Sequence, residues 1–259
     1  MIKKSGKFEQ DLQRREKTDL IAIIKLMLQQ RPELEWVLQM PLPGSGKSAP
    51  PINAALYHSQ IEAAVTAAIQ HDRDRSYREA LKNTLAAIQS TADSFANKED
   101  YASALAIYEV LVTTAIHAFF AVETGYLIFP TVMLQCIDGL DTCFAGAEED
   151  RQMRQRVLKS LFAIYRFSAS SSMDLGEDIP DLLVGNSAPE ERQMIADWVR
   201  DALAQLSGNS GKGDEQSRAY RVLLRRLEKE SLECVRSAPS VSILWNKRGY
   251  REIHYSCTC

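Results

Sequence analysis

The chain has 259 residues, 45% of them hydrophobic and 25% charged, which permits a sizeable core and argues against global disorder. Its 31 lysines and arginines nearly cancel 34 aspartates and glutamates, so the net charge of −3 gives no global field that draws nucleic acid or an anionic membrane. The basic start, Met1 to Phe8, is followed by no apolar stretch of a secretory signal, and no uncharged apolar run of about 18 residues reads as a membrane span, which makes the cytoplasm the expected location.

In chain order, Thr18-Asp19 caps a first helix that carries Leu20, Ile21, Ile23, Ile24, Met27 and Leu28. Pro32 starts a short helix to Met40, with Leu34, Val37 and Leu38 on its inner face. Residues 41–52 read as a Pro/Gly linker between an N-terminal helical segment, 1–40, and a larger helical domain, 53–236. Within the linker, Gly44-Ser-Gly-Lys-Ser48 looks like a phosphate loop, but a Walker pattern needs glycine where Pro41 stands and a buried strand before it. From Asn53 to about His71, Leu56, Ile61, Val65 and Ile69 keep helical spacing. Arg73 to Ala96 and Asp100 to Val122 read as two amphipathic helices joined by a tight polar turn. Gly125 closes the second, and Pro130 opens or kinks a further helix that reaches Phe144 and ends at Gly146.

Arg151 to Phe167 is again amphipathic, and a serine-rich turn follows it. Asp178-Ile-Pro-Asp-Leu-Leu-Val predicts a short helix or turn. Ser187-Ala-Pro-Glu-Glu starts the next helix with a cap, an early proline and first-turn acids. A Gly-rich joint from Gly208 precedes a last helix, Glu215 to Arg236. In the tail, 237–259, Val241 to Trp245 and Tyr250 to Tyr255 read as two short strands around a turn. The expected class is all-α: antiparallel helical hairpins in a solenoid-like array, with a short C-terminal β-hairpin appended.

At Asp100-Tyr-Ala-Ser-Ala-Leu-Ala-Ile-Tyr108 the chain resembles a tetratricopeptide repeat. Tyr101 falls at the turn, Ala104 at the small interhelix position and Tyr108 one turn later, with Ala92 and Phe95 at the small and aromatic positions of the helix before. The segment from Leu20 to Leu38 with its Arg-Pro-Glu-Leu, the Asp178-Ile-Pro-Asp-Leu-Leu turn, and Ala188-Pro-Glu-Glu-Arg-Gln before Trp198 resemble the helical region that accompanies SWIM-type zinc fingers in some bacterial proteins. Those fingers use Cys-x-Cys followed by Cys-x-His, and the chain carries one such pair, Cys257-Thr-Cys259. The repeat resemblance implies a scaffold that binds a protein partner; the zinc-finger resemblance implies an accessory module of a zinc-dependent or nucleic-acid-associated regulator.

The chemistry-bearing residues are sparse. Cys257 and Cys259, on one face of an extended segment with His254 upstream, are candidate ligands for one soft metal such as zinc; no other cofactor is expected. His58 and His71-Asp72, with Asp138 or Asp141 as a distant carboxylate, fit the ligand types of all-α metal-dependent phosphohydrolases, a second alternative. Cys136 and Cys143, seven apart in an apolar context, read as reduced core thiols. Arg218, Arg221, Arg225, Arg226 and Lys229 share their helix with acids at pairing distance and have no aromatic interleaving, which reads as a solvated face, with nucleic-acid contact the lesser reading. No nucleophile elbow or Ser/His/acid arrangement is evident. The leading expectation is therefore a non-enzymatic helical-repeat scaffold with a protein partner and no membrane. Tyr77, Tyr101, Tyr108 and His117 are its candidate groove anchors.

Overall fold

Helical spacing of apolar residues becomes helix almost throughout the computed structural model. It describes residues 11–30, 52–71, 74–123, 125–171, 173, 175, 178–206, 213–237, 241–245 and 251–255, with the backbone alone from 230 onward. The chain divides into two units, Met1–Ile52 and Asn53–Cys259. In the first, α1 runs Lys17–Gln30 and buries none of its side chains. The expected helix from Pro32 to Met40, and the linker up to Pro51, lie outside the described residues.

The second unit holds α2 (Ala54–Gln70), α3 (Arg75–Ala96), α4 (Tyr101–Ala118), α5 (Gly125–Gly146), α6 (Arg151–Ser171), α7 (Ile179–Gly185), α8 (Pro189–Leu206) and α9 (Gly213–Ser237). Their starts are chemically marked. The Asp74 carboxylate accepts the Ser76 N–H at 2.8 Å before α3, and Asp100 accepts the Ser103 N–H at 3.2 Å before α4. Before α8, Glu191 reaches back to accept the Ala188 N–H at 2.8 Å, the reciprocal half of a capping box.

Between α3 and α4 the chain turns in four residues. The Asp100 N–H donates to the Phe95 carbonyl at 3.0 Å, and Glu99 takes the left-handed conformation, φ 63°. A side chain there carries a steric penalty that glycine lacks. Glu99→Gly is thus expected to raise stability by about 1 kcal/mol. Urea unfolding checks this, and an unchanged or lower midpoint would refute it.

Helix α4 is the centre of this unit. It packs on α2, α3, α5 and α6, while α3 also meets α5, and α9 closes on α6, α7 and α8. Its buried set, Ala104, Leu105, Ile107, Tyr108, Leu111, Val112 and Ala115, covers most of its circumference. Two of its tyrosines fit opposite glycines of α5. A Cβ at Gly139 would lie 2.2 Å from the Tyr108 ring, and one at Gly146 would lie 2.2 Å from the Tyr101 ring. Removing the side chain at these two points lets the helices close around whole aromatic rings. By length and composition α4 and α5 could cross a bilayer, with mean hydropathy 1.2 and 1.3, yet half of each window is buried inside the unit. They therefore also meet the description of core helices, and each carries acid: Glu109 in α4, Asp138 and Asp141 in α5.

Three expectations are corrected. Gly125 opens α5 instead of closing α4, because the chain crosses itself there: a Cβ would sit 2.2 Å from the Phe119 carbonyl oxygen. Pro130 is accordingly inside α5, where it removes one helical hydrogen bond, to the carbonyl of Tyr126 in the first turn. The serine run after Phe167 continues α6 to Ser171, since the Ser170 and Ser171 hydroxyls donate back to the Phe167 carbonyl at 2.9 and 2.8 Å. At the C-terminal end, Val241–Trp245 runs antiparallel to Arg251–Tyr255, with Ile243 opposite Ile253. This pair has no principal packing contact with any helix, and two strands alone are marginal, so it adds nothing to the all-α class.

Candidate functional site

Tyr108 and His117 are nine positions apart, two and a half turns of helix, so the two side chains leave α4 on opposite sides. Tyr108 points toward α3 and α5. It is 1% exposed, and its hydroxyl donates to the Asp93 carboxylate at 2.5 Å. Burial first, then that hydrogen bond and the charge of Asp93, push its hydroxyl pKa far above the usual phenol value. Tyr101, two turns earlier, is half-buried against Gly146. His117 is exposed on the α6 side, where with Ile116, Ala163, Arg166 and Phe167 it lines a cavity of about 490 Å³. Tyr77, near the start of α3, stacks on His71 at 4.2 Å between ring centroids. The four candidate anchors thus do not converge on one groove, and Tyr108 is a core residue.

What the fold does build is a furrow between α3 and α5, the two helices that flank α4 on one side. Along α3, Arg75, Arg78, Glu79, Lys82, Ala86 and Gln89 recur at three- and four-residue steps and so share one stripe. Leu127, Ile128, Thr131, Val132 and Gln135 of α5 face them across a groove of about 600 Å³. On its wall Leu127 is 63% exposed, and Leu134, seven residues on and so on the same side of α5, is 44% exposed. Large apolar side chains left in water at the wall of a groove are the kind of surface through which proteins bind one another.

Charge is unevenly spread along this furrow. At its start Lys82 makes no ion pair among the described residues, Arg75 meets Glu79 only at 3.9 Å, and Arg78 feels Asp74 at a distance. Farther along, Gln89 and Gln135 also line a second cavity of about 340 Å³, with Asp93, Asp138, Thr142 and the edge of Tyr108. One end is therefore basic and the other acidic. Sequence reasoning missed this because α3 and α5 are not neighbours in the chain. The available signal was local: Arg75, Arg78 and Lys82 on one face, and Tyr126, Leu127 and Leu134 around a proline.

The metal readings find little to build on. Among the described residues there is no group of three or more His, Cys, Asp or Glu side chains placed to hold one metal ion. His58 Nδ1 lies 3.2 Å from Glu62 on its own helix, and His71 is occupied with Tyr77. Asp72, Cys257 and Cys259 lie outside the described residues, and His254 is described by backbone alone.

Cys136 and Cys143 are free thiols with no exposed surface, and burial pushes both thiol pKa values well up, that of Cys143 to about 12. Neither is expected to be modified by a maleimide in the native protein, while both are modified in denaturant. Peptide mapping of the adducts checks this, and rapid native labelling at either position would show that α5 opens.

Neither a scan against protein-family models nor searches of curated proteins and of solved structures find a match to this chain.

Proposed function

We propose that this protein is a non-enzymatic helical scaffold that holds a protein partner in the α3–α5 furrow. The observation that carries the reading is the pair of exposed leucines, Leu127 and Leu134, on one side of α5 at a groove with charged ends. An amphipathic element laid there would cover apolar side chains that the fold leaves in water. The packing of α2 on α4, α3 on α5 and α4 on α6 supports a helical-repeat character for the array. A cytoplasmic location goes with this proposal.

A photo-crosslinking amino acid at Leu127, compared with one at the exposed Val222 of α9, tests it in the source cells. A discrete crosslinked protein obtained only from Leu127, and lost in a Leu134→Glu variant that melts normally, is the expected result. Equal crosslinking from both positions, or a product indifferent to Leu134→Glu, would overturn the assignment of this surface.

A further inference from the structure

The furrow carries enough pattern to define the chemistry of its occupant, an inference that rests on the protein-binding reading above. Arg75, Arg78 and Lys82 stand at one end, with Glu79 on the same wall and the capping Asp74 just beyond it, which leaves one cation in excess. Asp93 and Asp138 stand at the other, and the shared residues Gln89 and Gln135 make the two cavities neighbours. Between the ends the α5 wall is apolar, with Leu127, Ile128 and Val132. From Arg75 to Asp93 along α3 is 18 steps, about 27 Å at 1.5 Å per residue. A partner helix of about 18–20 residues spans that length.

We infer that the α3–α5 furrow binds an amphipathic helix of a partner protein whose charges are polarised end to end. Its acidic end lies over Arg75, Arg78 and Lys82, its apolar stripe over Leu127 and Val132, and its basic end over Asp93 and Asp138. Apolar burial supplies most of the affinity, while the two charged ends choose one direction along the furrow and reject helices charged the other way. The charges are partly exposed, so the preference falls as salt rises.

The experiment uses the full chain and two labelled 20-residue peptides read by fluorescence anisotropy. Both have the same composition and the same leucine stripe at helical spacing. One carries its glutamates in the first third and its lysines in the last, and the other mixes the two evenly. The polarised peptide is expected to bind about tenfold more tightly at low salt, the size of one well-placed charge contact. An Arg78→Glu/Lys82→Glu variant is expected to erase that difference, and Leu127→Gln to weaken both peptides alike. Equal binding of the two peptides, a preference that survives the charge-reversed variant, or displacement of the peptide by a single-stranded oligonucleotide but not by unlabelled peptide would overturn the inference. Failure here with specific crosslinking at Leu127 would refute the helix chemistry and leave the protein-binding surface standing. Failure of both would remove the surface itself.

Discussion

Tyr108→Ala is expected to lower the unfolding free energy by about 3–5 kcal/mol, the range for deleting a buried aromatic ring. The ring is 1% exposed and seated on Gly139, where even a methyl group would lie 2.2 Å from it, so its removal opens a void that the glycine has no side chain to fill. The loss of its hydroxyl also leaves the half-buried Asp93 carboxylate without that donor. Two companions separate the contributions. Tyr108→Phe keeps the ring and is expected to cost about 1.5–3 kcal/mol, the net value of one hydrogen bond to a charged group. Gly139→Ala overpacks the same notch and is expected to cost about 1–3 kcal/mol, less when combined with Tyr108→Ala, because the two substitutions then share one space. Urea unfolding of the four variants gives the cycle. If Tyr108→Ala left stability unchanged, the tyrosine would be a surface anchor, as the repeat pattern suggests, and the α4–α5 packing described above would be wrong.

Arg154→Met has the second largest expected effect, a loss of about 3 kcal/mol near neutral pH, the scale for breaking a mostly buried ion pair from one side. The Arg154 guanidinium ties three elements together. Its Nε and Nη2 donate to both Glu191 carboxylate oxygens at 2.7 and 2.8 Å, Nη2 also donates to the Asn186 carbonyl at 3.1 Å, and the group lies 3.9 Å over the Phe144 ring. Both side chains are only 15% exposed, which limits screening by water.

The pH dependence follows from Glu191. The hydrogen bond from Arg154 holds its carboxyl below the usual glutamate value, against the opposing effect of burial and with help from the Ala188 N–H. A depressed folded-state pKa means that the stabilisation is complete above the unfolded value of about 4.3 and is lost as pH falls through the folded value. The wild type and Arg154→Met are therefore expected to differ most near pH 7 and to converge below about pH 4. Denaturation midpoints across that range check the sign. A difference that stayed constant with pH would mean that the arginine acts only through packing on Phe144.

Much of the local structure was legible in the residue order. Caps and periodicity depend on neighbours within one or two turns, so Asp100 and the Ser187–Glu191 cluster announced where α4 and α8 begin, while the cap of α3, Asp74, was passed over for a start at Arg73. Misreadings came where a local signal had a tertiary cause. Gly125 looked like a stop, but its lack of a side chain serves the close approach of the Phe119 carbonyl. The serines after Phe167 looked like a turn, but their hydroxyls find acceptors inside the helix.

The candidate site was legible only in fragments. Tyr101 and Tyr108 stood out in the sequence, but Gly139 did not, Gly146 read only as a helix end, and nothing local says that these tyrosines and glycines meet. A helical pattern specifies which residues share a face; it does not specify which helix lies against that face. The sequence by itself therefore determined the helical class, the caps and the inert setting of Cys136 and Cys143, since each depends on short-range periodicity and apolar context. Only the tertiary structure decided that Tyr108 is buried, which helix His117 faces, and that α3 and α5 form a furrow with a basic and an acidic end. Those outcomes depend on contacts between residues some 30 to 45 positions apart, as with Tyr108 and Gly139 or Tyr101 and Gly146, and such pairings are fixed by the packing of whole helices.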